Sequence, residues 1–249
     1  MKALVAIVRT IIAMTFFAIT VSSLILFSVL TFRRWSLRIS GPALRFLGRT
    51  VLRILGIKLT LKDPWPFEED EARVVIINHQ STLDIIWFCA ICPNRPSAVG
   101  KRELIWIPFI NLGWWAFRLF LIDRSNREVA IQTMKAATEN TIQYRRSVSL
   151  APEGTRSKDA RILPFKKGVF HLAMEGKLPI YPVVMCGAAE AMPKHTFWAY
   201  PRPITIRFLP PISTEEWTRE TLDGEIEAIR AQMVSTYEAL REEEGLPPL

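Results

Sequence analysis

Residues 74–84 have the sequence VVIINHQSTLD, in which four apolar residues lead into a polar turn that holds a histidine and a carboxylate. The short apolar run at 74–77 predicts a buried strand, and the apolar residues at 85–91 predict a helix directly after the turn. This strand–turn–helix unit predicts an α/β fold with polar side chains at the end of a strand.

His79 and Asp84 lie five positions apart in this turn. On one continuous helix, residues at that spacing point roughly 140° away from each other, because a turn contains ~3.6 residues. The two side chains can meet only if His79 precedes the helix and Asp84 lies in its first turn, with Ser81 or Thr82 as the N-cap. An imidazole held by a carboxylate can take a proton from a hydroxyl, so a general base is one interpretation. The other is a polar loop histidine beside a capping acid.

From about residue 70, short β-rich runs alternate with helical periods, which predicts a layered α/β fold. Further strands are predicted at 97–100, 119–122, 148–150, 180–185 and 204–209. Helices are predicted at 127–144, after Ser125 or Asn126 as the N-cap, and at 168–175 and 222–240.

Residues 104–122 carry one charge and could pass for a transmembrane helix. Pro108, Asn111 and Gly113 interrupt the stretch, so a bent helix followed by a strand is predicted instead.

The positive charge of the chain is concentrated at one end. The whole chain has 32 Lys and Arg against 24 Asp and Glu, a formal net charge of +8. Residues 1–62 hold ten of those bases and no acid, which leaves 22 bases against 24 acids in the remainder. Because the basic excess shares a segment with the most apolar run, it indicates an anionic membrane surface and no nucleic-acid partner.

Residues 10–32 are 23 consecutive positions without a charged side chain. As a helix they would span about 34 Å, enough to cross a hydrocarbon core of about 30 Å. A retained membrane anchor is favoured over a cleaved signal peptide, because the run is too long and no clear small-x-small cleavage site follows. A re-entrant helical hairpin that dips into one leaflet is an alternative to a full span.

The bases around this run predict an orientation. Arg33, Arg34 and Arg38 outweigh Lys2 and Arg9, which predicts that the body of the protein lies on the cytoplasmic side of the membrane if the helix spans it.

A second amphipathic segment follows. Four arginines recur at intervals of seven, four and four residues from Arg38 to Arg53, and leucines fill another side. This pattern predicts a basic helix lying on lipid headgroups. We therefore expect residues 1–62 to anchor the protein and residues 63–249 to form one domain.

The three cysteines predict no disulfide scaffold. Cys89 and Cys92 have CxxC spacing, but they lie in or beside a predicted apolar helix, and the sequence contains no second pair with zinc-ligand spacing. Buried thiols in a reducing cytoplasm are expected. His171 and His195 have no partner at motif spacing, so we expect them to be structural or exposed, and we expect no metal site.

A second polar turn follows another predicted strand, where residues 148–157 have the sequence VSLAPEGTRS. Gly154 lets the backbone approach a ligand closely, Thr155 supplies a hydroxyl, and Arg156 offers a fork of donors suited to phosphate. The alternative is a surface turn with a solvated arginine.

Together, the two turns resemble signature blocks of the 1-acylglycerol-3-phosphate acyltransferase family. The first and third blocks are similar to NHQSTLD at 78–84 and PEGTRS at 152–157. The second block is similar to Lys101, Leu104, Pro108 and residues 122–124, and the fourth to LPIYPVV at 178–184. The resemblance covers about residues 70–190.

The resemblance implies a glycerolipid acyltransferase fold, with a mixed sheet flanked by helices behind an N-terminal membrane helix or hairpin. It implies transfer of a fatty acyl group from a thioester of coenzyme A or acyl carrier protein to the hydroxyl of lysophosphatidic acid, forming phosphatidic acid. His79 would be the general base and Asp84 would orient it. No cofactor and no acyl-enzyme intermediate would be needed.

The resemblance also implies substrate contacts. The glycerol-phosphate end of the acceptor would be held by Glu153, Gly154, Thr155 and Arg156, with the arginine on the phosphate. Lys101 would stabilise charge near the reacting oxygen, and Pro182 with its apolar neighbours would shape the donor or acyl pocket.

Asn111 and Arg118 differ from the family pattern, since many relatives have glycine or another small residue there. They leave acceptor and acyl-chain selectivity open. Rival interpretations are an acyltransferase that remodels another lysophospholipid and a catalytically silent protein that only binds membrane lipid. A metal hydrolase is disfavoured, because one of the three histidines lies in a motif and no carboxylate cluster surrounds it.

Overall fold

A computed structural model describes residues 2–32, 36–67, 71–106, 119–123, 125–157, 159–193 and 196–249. Within these ranges, seven strands form one sheet in the order β1-β7-β6-β2-β5-β3-β4. The strands are β1 (Leu59–Leu61), β2 (Arg73–Ile77), β3 (Pro96–Lys101), β4 (Phe120–Ile122), β5 (Ser147–Leu150), β6 (Ile180–Cys186) and β7 (Ile204–Phe208). Neighbouring strands are parallel except for β6 and β7. The predicted mixed α/β fold is confirmed.

Seven α-helices occur in the described ranges. They are α1 (Lys2–Leu30), α2 (Ser36–Leu55), α3 (Asp84–Ile91), α4 (Arg127–Gln143), α5 (Gly168–Gly176), α6 (Ala188–Ala191) and α7 (Leu222–Glu243). Asn126 caps α4 as predicted, because its side chain accepts from the backbone N–H groups of Glu128 and Val129.

All six predicted strands are present, each within one residue at either end. The short elements β1 and α6 were not predicted, because three or four residues give too little pattern. β1 pairs with β7, so the sheet begins before the boundary predicted between residues 62 and 63. Residues 107–118, most of the predicted bent helix, lie outside the described ranges, as do Arg124 and His195.

The central strands are buried on both faces of the sheet, and every residue of β2 and β6 is buried. Successive side chains of β2 point to opposite faces. Val75 and Ile77 therefore pack in the cluster formed with α2 and α3, while Val74 and Ile76 pack in the cluster formed with α5 and α7. Strands covered on both faces need continuous apolar sequence, which explains the run at 74–77.

α2 packs closely against α3. A Cβ atom at Gly48 would lie 2.3 Å from the backbone N of Ala90 and 2.7 Å from the backbone O of Ile86, so this crossing requires glycine. Because α3 begins at Asp84, the contact also fixes the helix that carries the predicted acid of the site.

Two arginines of α2 make hydrogen bonds to the segment at the end of α3. Arg45 donates to Cys92 O at 2.9 Å and to Asn94 Oδ1 at 3.0 Å. Arg49 donates to Ala90 O at 3.2 Å. These carbonyls lie at the C-terminal end of α3, where positive charge is favourable. Arg45 and Arg49 therefore bind the neighbouring helix, and the headgroup contact predicted for α2 stays a prediction.

α1 has one face on the protein and one apolar face exposed. Ala6 and Ala13 are buried, and Ala199 N donates to Thr10 Oγ1 at 3.0 Å. The exposed side chains of α1 include Leu4, Val8, Ile11, Ile12, Ile19, Leu26 and Leu30. By length and composition alone, with a mean hydropathy of 2.3, residues Ala3–Leu30 could cross a membrane.

Candidate active site

The two polar turns meet at one edge of the sheet. His79 follows β2, and Glu153 follows the adjacent strand β5. These strands are parallel, with Val75 opposite Ser149, so both chains leave the sheet at the same end. Ligands of open α/β sheets bind outside the carboxyl ends of the strands. The topology thus brings both predicted motifs to such a position.

His79 and Asp84 form the predicted pair. His79 Nδ1 lies 2.7 Å from Asp84 Oδ2. The acid is the first residue of α3 and the histidine lies on the preceding turn, which is the arrangement that the spacing required. The carboxylate favours a proton on Nδ1, which leaves Nε2 as the nitrogen that can accept one. The histidine side chain is 29% exposed, so a substrate can reach it, whereas the acid is only 2% exposed.

Both oxygens of the Asp84 carboxylate accept hydrogen bonds. Besides the imidazole, Oδ2 accepts from Gln80 N at 2.7 Å and Ser81 N at 2.9 Å. Oδ1 accepts from Trp87 Nε1 at 2.9 Å. A buried carboxylate is costly unless it is well hydrogen-bonded, and these donors hold Asp84 in one orientation.

The predicted N-cap of α3 is wrong. Leu83 occupies the N-cap position and makes no side-chain capping bond. Ser81 instead accepts from Leu83 N at 3.3 Å through its hydroxyl, which donates to Met192 O at 2.8 Å. The Asp84 side chain accepts from backbone N–H groups of the turn before the helix, so it fixes that turn and does not cap α3.

The buried carboxyl of Glu153 links the two turns through hydrogen bonds. Its Oε1 accepts from His79 N at 2.8 Å and its Oε2 accepts from Leu163 N at 3.0 Å. Burial raises the pKa of this carboxyl to about 7, against the opposing effect of those backbone N–H groups. With 2% of Glu153 exposed, the geometry favours a positioning role over the direct acceptor contact that the family resemblance implied.

The outer side of the second turn carries its arginine. Arg156 Nη1 donates to Thr82 Oγ1 at 2.6 Å, and Ser157 N donates to His79 O at 3.1 Å. Gly154 has φ +68°, a left-handed conformation that favours glycine. Thr155 is exposed. The guanidinium and this hydroxyl therefore lie on the open side of the loop, where the acceptor was predicted to bind.

Two other predicted site residues lie elsewhere. Lys101 ends β3, and its side chain lies outside the described part of the molecule. Pro182 is buried in β6 opposite Ile76, one position before the end of β2. Its predicted part in a donor or acyl pocket stays a prediction.

Sequence reasoning missed two polar residues of the site. Asn78 donates to Met185 O at 2.8 Å and accepts from Met185 N at 2.9 Å, which ties the end of β2 to β6. Trp87 was not considered as a donor to Asp84. Its spacing of three residues on a helix could have revealed it, because side chains three apart are neighbours.

The cysteines are free thiols. Burial raises the pKa values of Cys89 and Cys186 to about 12 and also raises that of Cys92. Such thiols are poor nucleophiles. Among the described residues, no group of three or more His, Cys, Asp or Glu could hold a metal ion.

A family model described as Acyltransferase matches residues 58–186. The chain is 38% identical over 184 residues to the 1-acyl-sn-glycerol-3-phosphate acyltransferase of Limnanthes douglasii, with 74% of this chain and 64% of that protein covered. It is 40% identical over 172 residues to the Saccharomyces cerevisiae protein of the same name, with 67% and 56% covered. The match to the Mus musculus 1-acyl-sn-glycerol-3-phosphate acyltransferase alpha is 31% over 195 residues, with 78% and 68% covered. The chain thus spans less than two thirds of the plant and yeast relatives.

The structure is similar to the crystal structure of the 1-acyl-sn-glycerophosphate (LPA) acyltransferase PlsC from Thermotoga maritima. The TM-score is 0.78 at 20% identity, with 96% of this chain and 98% of that chain covered. This likeness supports the same fold over nearly the whole of both chains.

Proposed function

The chain belongs to the acyltransferase family, and we propose that it transfers a fatty acyl group from an acyl thioester to the free hydroxyl of lysophosphatidic acid, forming phosphatidic acid. The relatives from a plant, a fungus and a mammal are all named 1-acyl-sn-glycerol-3-phosphate acyltransferases. Their names support the acceptor, and the geometry of the site supports the reaction.

The observation that carries the proposal is the contact of 2.7 Å between His79 Nδ1 and Asp84 Oδ2 at the junction of the two turns. In the proposed reaction, Nε2 of His79 takes the proton of the acceptor hydroxyl while the hydroxyl oxygen attacks the thioester carbonyl carbon. The carbon–sulfur bond then breaks, and the imidazolium returns the proton to the leaving thiolate. Asp84 holds the ring and stabilises its positive charge in between.

Arg156 is proposed to bind the phosphate of the acceptor. Its guanidinium already lies beside the catalytic turn, through its bond to Thr82. A planar guanidinium can bind a phosphate with two parallel hydrogen bonds. Gly154 and Thr155 are proposed to contact the glycerol end, because they lie on the same open side of the loop.

The donor is proposed to be a thioester of coenzyme A or acyl carrier protein, with no further cofactor. Lys101 is proposed to stabilise the negative charge that grows on the thioester oxygen, since such charge requires donors aimed at it. Pro182 and its apolar neighbours are proposed to shape the pocket for the donor or the acyl chain.

The protein is proposed to bind the membrane with α1 and α2 as a hairpin, with residues 63–249 as the acyltransferase domain on the cytoplasmic face. The contacts of Thr10 and Ala13 with the body of the protein support a hairpin over a full span, because they tie the N-terminal half of α1 to that body. The exposed apolar face of α1 would then enter the bilayer. Residues 1–62 hold ten bases and no acid, which supports the cytoplasmic leaflet because its surface carries anionic lipid.

The proposal is tested by an acceptor panel in detergent or vesicles, with labelled acyl-coenzyme A and acyl carrier protein as alternative donors. The acceptors are lysophosphatidic acid, lysophosphatidylcholine, lysophosphatidylglycerol and glycerol 3-phosphate. We expect transfer to lysophosphatidic acid above all others. Preference for another lysolipid would show that this lysolipid is the acceptor in place of lysophosphatidic acid. No transfer with either donor would favour a silent lipid-binding protein.

A further inference from the structure

Trp87 makes a polar contact that the proposed mechanism does not use. Its indole Nε1 donates to Asp84 Oδ1 at 2.9 Å. The tryptophan is 0% exposed and the acid 2% exposed, so the bond is shielded from water. A hydrogen bond to a charged group is worth more than one between neutral groups, most of all where water cannot replace the lost partner.

The two oxygens of Asp84 have different sets of donors. Oδ2 accepts from His79 Nδ1 and from the backbone N–H groups of Gln80 and Ser81. In the part of the chain that the structure describes, Trp87 Nε1 is the donor to Oδ1. Loss of this N–H would leave one oxygen of a buried carboxylate without that donor, and the carboxylate would be held through Oδ2 alone, so that it could tilt about that oxygen.

The indole is held rigidly. Trp87 lies one helical turn after Asp84 on α3, where side chains three residues apart are neighbours. Its ring packs in the apolar cluster between the sheet and α2, with the Phe88 ring edge-on at 5.9 Å. The N–H is therefore fixed before any substrate binds, which is the condition for a group that orients another.

We infer that Trp87 is a positioning residue of the proposed acyl transfer: its indole N–H fixes the Asp84 carboxylate and thereby the angle at which His79 meets the acceptor hydroxyl. The inference rests on the proposed function. Removal of the outer-shell partners that orient metal-binding histidines typically costs about 10- to 100-fold in metal affinity or activity, and we expect an effect of that order here. Trp87 acts through Asp84 and is not expected to touch the substrate.

Two variants remove the indole N–H of Trp87, one with a smaller ring and one with a ring of nearly the same shape. Trp87→Phe removes the donor and part of the ring, whereas benzothienylalanine at position 87 replaces only the N–H by sulfur. Both variants are expected to lower kcat about 10- to 100-fold, with KM for donor and acceptor within about 2-fold of wild type. Trp198→Phe is the matched control, because it removes an indole bond of 2.8 Å to Tyr200 Oη outside the pair. It is expected to leave kcat unchanged.

A second measurement does not depend on turnover. The sequence contains three histidines, so nitrogen-15 labelling of histidine gives spectra with few ring signals, and His79→Ala identifies the one of interest. We expect the benzothienylalanine variant to shift the ring signals of His79 and to leave those of His171 and His195 unchanged. If the wild-type enzyme transferred no acyl group, this spectrum would still test the role of Trp87, so failure of the two proposals can be told apart.

Three results would overturn the inference. The first is wild-type kcat in the benzothienylalanine variant, which would reduce Trp87 to a packing residue even if Trp87→Phe failed to fold. The second is a loss confined to KM. The third is an unchanged His79 spectrum in the same variant.

Discussion

At the scale of single residues, Glu153 links the two motifs through a buried carboxyl. Its oxygens accept from the backbone of His79 and of Leu163. Burial raises the pKa of Glu153 from the ordinary 4.5 to about 7. Between these values the folded protein holds a proton that the unfolded chain has released.

The raised pKa of Glu153 makes the free energy of unfolding depend on pH. Because the folded state binds more protons, the free energy of unfolding falls as the pH rises from about 4.5 to about 7, by on the order of 3 kcal/mol in all. We expect this dependence in wild type and its absence in Glu153→Gln, measured as thermal unfolding in detergent across this range. Parallel curves for the two proteins would contradict the raised pKa.

Arg156 gives a second prediction at this scale. Arg156→Ala should raise KM for lysophosphatidic acid about 10- to 100-fold with a smaller effect on kcat, because it removes a charged donor to phosphate. For acceptors that lack the terminal phosphate, the same substitution should raise KM less.

Thr82→Val is the matched control for Arg156, because it removes the bond of 2.6 Å between the two side chains but keeps the guanidinium. If Thr82→Val raised KM as much as Arg156→Ala, or if all acceptors lost affinity equally, the arginine would be a structural tie and not a phosphate ligand.

How much of the site could be predicted from sequence differs between residues. The spacing of His79 and Asp84 gives the condition for their contact, because they can meet only if the histidine precedes the helix and the acid lies in its first turn. Consecutive letters in the second turn do not reveal which side chain points inward. The family resemblance implied that Glu153 contacts the acceptor, whereas its side chain is buried and bonded to backbone.

At the scale of elements, the crossing of α2 on α3 controls the position of Asp84. Gly48→Ala would force a Cβ atom to within 2.3 Å of Ala90 N. We expect it to destabilise the protein by about 1–3 kcal/mol or more and to lower activity, since overpacking against backbone must move one helix. Thermal unfolding and initial rates measure both effects.

Gly224→Ala is the control for this substitution. Gly224 lies in α7 with no atom within 4 Å of its Cβ position. Because alanine favours helix, the substitution should raise stability by about 0.5–1 kcal/mol and leave activity unchanged. Equal stability of the two glycine variants would contradict a close crossing at Gly48.

The same crossing gives two arginines of α2 a contact that the sequence did not predict. Arginines at helical spacing on an otherwise apolar helix are typical of a membrane surface, yet Arg45 and Arg49 bind the C-terminal end of α3. A sequence predicts which face of a helix carries the arginines but not which element packs against that face. Arginines that contact headgroups and arginines that bind the end of a neighbouring helix therefore look alike in sequence.

At the scale of the whole molecule, the arrangement of α1 and α2 predicts a hairpin in one leaflet of the membrane and not a single span. The Arg9 guanidinium lies beside Gly56 at the end of α2, and Thr10 accepts from Ala199 N. These contacts hold the beginning of α1 next to the body of the protein. A hairpin in one leaflet has both chain ends on the same side of the bilayer, whereas a single span separates them.

Epitope tags at the two ends test this prediction. In sealed proteoliposomes, added protease should remove both tags from the same molecules and leave both on molecules of the opposite orientation. Removal of one tag with protection of the other would indicate a full span. Detergent lysis is the control, because it should expose every tag.

The order of strands and helices followed from periodicity, because central strands and amphipathic helices have strong patterns. The pairing of β1 with β7 did not, since three residues at a sheet edge carry little pattern. The antiparallel pairing of β6 and β7 likewise could not be predicted, because the positions of strands in the sequence do not determine their relative direction in the sheet.

The central claim is acyl transfer by His79 as the general base, and the most direct test is the initial rate of transfer from labelled acyl-coenzyme A to lysophosphatidic acid in wild type and in His79→Ala. Vesicle binding and thermal unfolding of the same two proteins are measured alongside. We predict that transfer is lost in His79→Ala while binding and unfolding stay as in wild type. Retained transfer in a folded, membrane-bound His79→Ala protein would contradict the account.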